Sequence, residues 1–382
     1  MRRGEGTILS IGKRIRERRK LLNLTQEDLA KKCGFASSQI VSQLEKGERD
    51  IKAWELARIA DLLKVDFQYF FQRENPLRLS PILWRKEPGQ DVKQKEAEFI
   101  QVCERYYQVE KLCGEEPECK LPRRQIDWAK FNFPEAYSLA NEISRFLDLG
   151  SRPSSSLTEV LEKRFGVKII YQDLGKSGSA ASTWGYFGPA ILMNSREAPW
   201  RRNFNFAHEL FHLITWSDDL NDIKFSNEPL FRRIEQLAEY FASVLLLPAE
   251  AIELELNKMT KKLTYMDVVN IARDFDVSTS ALLWRLVSLG HITRESAEKA
   301  LDDEYFKQLD KSTMSEKWWH YPYSLPERFV RLAFQAYQKG NLSRMLLAEY
   351  LNTSLIDLEE TLAEYGLKEE EEAVYETPID IA

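Results

Sequence analysis

Residues His208-Glu209-Leu210-Phe211-His212 stand between the largely apolar Phe204-Asn205-Phe206-Ala207 and Leu213-Ile214. Residues four apart on a helix share one face, so both imidazoles can reach a single zinc ion while Glu209 lies close enough to act on water at the metal. That is the pattern of a zinc hydrolase. The chain has only 4 histidines among 382 residues, which makes two of them at this spacing around a Glu a rare coincidence. The apolar flanks describe a buried helix rather than a solvated one with incidental histidines.

A third ligand is expected downstream. In the stretch 232–248, Glu235 and Glu239 stand four apart on a helix that turns apolar after its first turn, and buried acids need partners. Glu235 is the expected third ligand. Glu239 is expected to accept the free ring N–H of one liganding histidine, fixing its tautomer, and the fourth position then stays open for water. Solvated pairing of the two acids with Arg232 and Arg233 is the plainer alternative. Asp218 and Asp219 are rival ligands whose place just after the helix suits a turn better. Zinc brings the pKa of bound water to about 7, and Glu209 can carry the proton to the leaving amine. Tyr186, Tyr240, His291 and His320 are all candidates for stabilising the oxyanion. The strand 189–194 is a candidate edge for a substrate peptide that pairs by strand addition.

From about residue 166 to 295 the chain resembles the ImmA/IrrE family of metallopeptidase-like domains. The matching pieces are the strand Ala190-Ile191-Leu192-Met193-Asn194, the lead Arg201-Arg202-Asn203-Phe204, the two helices already quoted with their Leu246-Leu247-Pro248 ending, and the stretch from Phe275-Asp276-Val277-Ser278 to Arg285-Leu286. The resemblance implies a thermolysin-like zinc fold with Glu235 at the family's ligand position. Glu239 departs from it, standing where the family often has Asn.

A second module opens the chain. Ile15, Leu21 and Leu22 alternate with Arg14, Arg16, Arg18, Arg19 and Lys20, then Thr25-Gln26-Glu27-Asp28 starts a capped helix that Gly34 ends. In the next short helix, up to Gly47, Val41 and Leu44 are expected to face inward while Ser38, Gln39, Ser42 and Gln43 point out. Helices from about 53 to 63 and 66 to 71 complete a set of five, as in a helix-turn-helix domain. Residues 8 to 71 resemble the Xre/Cro type. That resemblance implies Ser38, Gln39 and Gln43 at base-reading positions and Gln26 at the phosphate backbone, although one residue more than the commonest spacing separates Gly34 from Gly47. Gln side chains suit adenine N6 and N7, and Arg18 and Lys20 are candidate phosphate contacts. A protein-contact surface is the rival reading of the exposed Ser and Gln.

Charge separates the two modules. Residues 1–73 hold sixteen Lys/Arg against ten Asp/Glu, a net of +6, whereas the whole chain is −6, so the remaining 309 residues carry −12. Only the front should be drawn to a polyanion. No apolar run reaches 18 residues and Met1-Arg2-Arg3-Gly4-Glu5-Gly6 lacks the apolar core of a signal peptide, so a cytoplasmic protein without membrane attachment is expected. Cys33, Cys103, Cys113 and Cys119 show no Cys-x-x-Cys spacing and read as reduced structural thiols.

The expected architecture is mainly α and multi-domain. An all-α helix-turn-helix domain (8–71) is followed by a linker or helical spacer (72–125), an α+β thermolysin-like zinc domain (126–300), and a helical C-terminal region (301–382) with an acidic tail. In the spacer, 77–85 reads as an edge strand or arm and 95–107 as a helix stopped at Gly114. The expected function is a DNA-binding transcriptional regulator with Zn2+ as cofactor. Its partners are expected to be a double-stranded DNA operator, a second copy in a homodimer, and a protein substrate such as a repressor or toxin. A non-catalytic transcription factor or antitoxin, using the zinc fold as sensor or scaffold, is the alternative.

Overall fold

The computed structural model describes residues 11–22, 24–65, 67–71, 81–89, 91–115, 120–217, 220–259, 261–313 and 322–369. Asp218, Asp219, Cys119, His320, the stretch 72–80 and the acidic run from Glu370 onward lie outside the described residues, and so do the readings placed on them.

The front domain consists of α1 (Ile11–Leu21), α2 (Gln26–Cys33), α3 (Ser38–Lys46), α4 (Ala53–Leu63) and a closing 3-10 turn (Phe67–Phe71). Thr25 Oγ1 accepts from the Asp28 amide and the Asp28 carboxylate accepts from the Thr25 amide, which fixes the start of α2. Gly34 and Gly47, both at φ 74°, end α2 and α3 in the left-handed region that favours glycine. Ile15, Leu29, Val41, Leu44, Ile59 and Leu63 fill the core. Gly12 lets α1 press against α3, since a Cβ there would stand 2.3 Å from the Leu44 carbonyl oxygen. The basic run of α1 is spent differently from the phosphate role expected for Arg18. Arg18 is buried and donates to the carbonyls of Leu63 and Lys64 at the end of α4, Arg14 donates to the Tyr69 carbonyl, and Arg19 pairs with buried Glu45 at 2.6 Å. Lys20 remains exposed.

The central body is a four-stranded sheet between helices. Its strands β1 (Leu83–Trp84), β2 (Lys168–Gln172), β3 (Ala180–Gly185) and β4 (Gly188–Asn194) lie in the order β1-β3-β4-β2. A tight turn at Tyr186-Phe187 joins β3 to β4 as an antiparallel hairpin, and β2 runs parallel to β4. The strand expected as a substrate edge, 189–194, is therefore interior: β4 has neighbours on both sides and no free row of backbone groups. The edge beside β3 is occupied by β1, in the register Leu83 to Ser182 and Trp84 to Ala181.

The segment expected as a spacer builds this body. Besides β1 it supplies α5 (Val92–Cys113), whose Phe99, Ile100 and Cys103 cover one sheet face together with Trp84, Ile170 and Leu192. The opposite face packs against α8 (Pro199–Ile214), on which α10 (Glu228–Leu246) lies, and α6 (Phe133–Leu147), α7 (Pro153–Glu159) and α9 (Leu220–Ser226) extend the same core. Beyond them come α11 (Ala249–Asn257), α12 (Tyr265–Asp274), α13 (Thr279–Ser288), α14 (Arg294–Asp302) and α15 (Glu304–Ser312), and the same core reaches as far as Phe306.

A separate helical unit ends the chain: α16 (Glu327–Gln338), α17 (Arg344–Tyr350) and α18 (Leu358–Glu364). Ser343 caps α17 by accepting the Leu346 amide. Ser354 accepts the Asp357 amide one turn earlier than the start of α18. This unit shares a core with Tyr106 and Val109 of α5. It is also tied in through buried Glu110, which pairs with Lys168 of β2 at 2.9 Å and with Arg328 of α16 at 2.6 Å. No helix among the described residues is long and apolar enough to cross a membrane.

Candidate metal centre

Pro199 starts α8 at a position where a missing N–H costs nothing, and the apolar stripe of the helix locks it against β3 and β4. His208, Glu209 and His212 consequently lie on the inner face, 0%, 0% and 2% exposed. Helix α10 crosses them with Asn227 as its cap and brings Glu235 to both rings. The Glu235 oxygens stand 3.2 Å from His208 Nε2 and 3.2 Å from His212 Nε2, and the two Nε2 atoms are 3.2 Å apart.

This triangle fits a metal ion. Nitrogen and oxygen ligands at 2.0–2.2 Å from a tetrahedral centre stand about 3.3 to 3.5 Å from one another, close to the separations seen. The donor set agrees with the geometry, because two imidazole nitrogens and a carboxylate all turn lone pairs to one point and only a cation or shared protons can reconcile them. Burial holds the His208 pKa down to about 3, which keeps its lone pair available. On His212 the burial works in the same direction, but the Glu235 charge outweighs it and the pKa is raised. Glu235 is held below the usual carboxylate range, since His212 and the bonds from both rings outweigh its own burial.

Glu209 points to the sheet side of the centre. Burial pushes its carboxyl up to about 7 against the pull of His212, with Ser182 of β3 and Arg85 also favouring the ionised form. Among the described residues neither Glu209 oxygen has a hydrogen-bond partner, the nearby Ser182 hydroxyl included. A buried carboxylate left this way is costly in a merely structural position.

Not every expected residue reaches the centre. Glu239 is 58% exposed and 3.6 Å from Arg85, while the Nδ1 atoms of both histidines have no hydrogen-bond partner among the described residues. The ring N–H role expected of Glu239 is therefore not met: one turn beyond Glu235, the side chain passes the rings and turns to the Arg85 cation. Arg232 pairs with Glu228, and Arg233 donates to the Phe131 carbonyl, so neither takes Glu235. Tyr186 packs on Tyr107 and Phe187 and His291 pairs with Glu253. Tyr240, by contrast, lines a cavity of about 830 Å3 next to the centre.

Arg85 and Asn205 join the site without a role expected from the sequence. Arg85 follows β1, donates to Asn205 Oδ1 at 2.5 Å and stacks 5.4 Å from the Phe204 ring centroid. Buried Asn205, one turn before His208, donates in turn to Ser179 and Glu197. A polar residue in the otherwise apolar lead 204–207 was the one available signal for Asn205. Nothing local signals Arg85, which lies 120 residues from its partner.

In the front domain, Ser38 and Gln39 are exposed on α3 while Ser42 and Gln43 are half-buried. Gln26 donates to Glu45 at 2.8 Å, joining the Arg19 pair.

The chain carries two recognisable domains. The model of the helix-turn-helix family matches residues 15–70, and that of the IrrE N-terminal-like domain matches residues 162–287. The radiation response metalloprotease IrrE of Deinococcus deserti is 30% identical over 142 residues, 36% of this chain and 48% of that one. Its namesake in Deinococcus radiodurans is 34% identical over 130 residues, 32% of this chain and 37% of that one. An uncharacterized transcriptional regulator in the ATPase CF(0) region of Rhodospirillum rubrum is 43% identical over 61 residues, 16% of this chain and 56% of its own. The chain spans about half the length of the curated relatives it matches.

Proposed function

We propose that this chain is a DNA-binding regulator whose IrrE-like domain is a zinc-dependent peptidase acting on a protein partner. The observation that carries the reading is Glu209, fully buried beside the converged triad with both oxygens lacking a hydrogen-bond partner among the described residues. A structural metal site has no need of such a base. His208, His212 and Glu235 would hold the zinc, which supplies an acidified water and polarises a scissile carbonyl. Glu209 takes a proton from water and passes it to the leaving amine, and its burial keeps that exchange away from bulk solvent. The front domain, with its net charge of +6 over residues 1–73 and exposed Ser38 and Gln39, would hold an operator duplex as a dimer. The two functions joined on one chain suit a repressor or toxin as the cleaved partner.

The test compares zinc-loaded wild type with Glu209→Gln, incubated with the protein products of neighbouring genes while new N-termini are read by mass spectrometry. Wild type should generate specific new termini, at least about 100-fold slower in the variant. If no terminus separates the two proteins and a reporter strain is regulated equally by both, the zinc fold acts as a sensor or scaffold and the peptidase reading fails.

A further inference from the structure

We propose that the cavity beside the metal centre is a subsite for an acidic side chain of a bound polypeptide, and that Arg85 is the residue that selects it. The inference rests on the peptidase reading above and names the class of substrate.

The cavity opens between α8, α10 and α13, and its lining comes within one turn of the ligands at Asn205 and Gln236. Four cations reach it, Arg85, Lys86, Lys176 and Arg201, against the two acids Glu197 and Glu239, an excess of two positive charges in a body that is otherwise acidic. Both acids answer these cations in part. Glu197 accepts from Ser179 and Asn205 and lies within the fields of Arg201 and Arg85. Glu239 faces Arg85 at 3.6 Å from a side chain 58% exposed, an ion pair without a hydrogen bond and therefore a weak one.

Arg85 itself is held firmly. Its strand is anchored by Leu83 and Trp84, both buried, and its amide donates to the Ala180 carbonyl at 3.0 Å. The guanidinium is fixed by Asn205 and Phe204. A planar fork so placed suits a carboxylate bidentately, at little cost in ordering. Trp200, Trp284 and Tyr240 supply apolar surface beside it for the rest of the bound chain. Asn205 lies one turn before His208 and Glu239 one turn after Glu235. Arg85 therefore meets both helices about one turn along their axes from the ligands. The acidic residue would flank the bond at the metal.

The test uses the full-length Glu209→Gln chain with zinc and two fluorescein-labelled capped decapeptides identical except for a central Glu-Glu or Gln-Gln, read by fluorescence anisotropy. The Glu peptide should bind about tenfold tighter or more. Arg85→Met should abolish that preference, and Arg85→Lys should restore part of it, with melting curves confirming that each variant is folded. Equal affinity for the two peptides overturns the proposal. So does a preference that survives Arg85→Met, because it would then belong to the basic front domain. Inorganic phosphate competing as strongly as the Glu peptide would overturn it too, making this a site for any small anion. Failure of the peptidase reading looks different: the Glu preference holds and depends on Arg85, yet the wild-type chain cleaves no polypeptide.

Discussion

At the scale of single residues, Glu209 links burial to chemistry. Its carboxyl is pushed up to about 7 by burial, above the unfolded value of about 4.3. A carboxyl raised in this way is tolerated while protonated and destabilises once ionised, so the metal-free chain is spared the cost near pH 4 and carries it in full above about pH 7. Glu209→Gln should therefore raise the melting temperature of the zinc-free protein at about pH 7.5 and change it little at about pH 4.5. A gain of equal size at both pH values would assign the effect to packing instead of charge. The triad was legible in the sequence because His208, Glu209 and His212 are neighbours on one turn, and Glu235 because an acid on an apolar helix demands a partner. Arg85 was not legible, since its place depends on a strand pairing made across the chain. Glu239 misled for the opposite reason: spacing put it one turn from Glu235, and only the fold shows that a cation draws it away.

At the scale of elements, the same local signals can serve opposite ends. The basic run of α1 reads as a phosphate-binding surface, yet the fold turns Arg14, Arg18 and Arg19 inward onto carbonyls and Glu45, and charge alone does not distinguish the two uses. Arg18→Ala should therefore cost about 2 kcal/mol of stability through two charged hydrogen bonds, with the salt dependence of DNA binding unchanged. Gln39→Ala, on the exposed face of α3, should leave melting unchanged and relax base preference by about 1 to 3 kcal/mol. Thermal melts and salt titrations of both variants check the pair, and a flattened salt slope in a fully stable Arg18→Ala protein would return that residue to the phosphate surface. Strand order is likewise absent from local pattern. Residues 189–194 are apolar enough to be an edge or a centre, and only the pairing with β2 and β3 shows that β4 lies inside the sheet.

At the scale of the whole molecule, the segment between the two modules is the informative one. It carries the chain out of the helix-turn-helix domain, closes the sheet edge with β1, delivers Arg85 to the rim of the metal centre, and covers the outer sheet face with α5. The C-terminal helices rest on that same α5, through Tyr106, Val109 and the buried Glu110. Everything functional proposed for the metal domain depends on His208, His212 and Glu235 converging on one ion. Metal analysis of the purified full-length chain tests this most directly. Wild type and Glu209→Gln should each hold about one zinc per chain, and the His208→Ala, His212→Ala double variant essentially none; full zinc occupancy in that folded double variant would contradict the site.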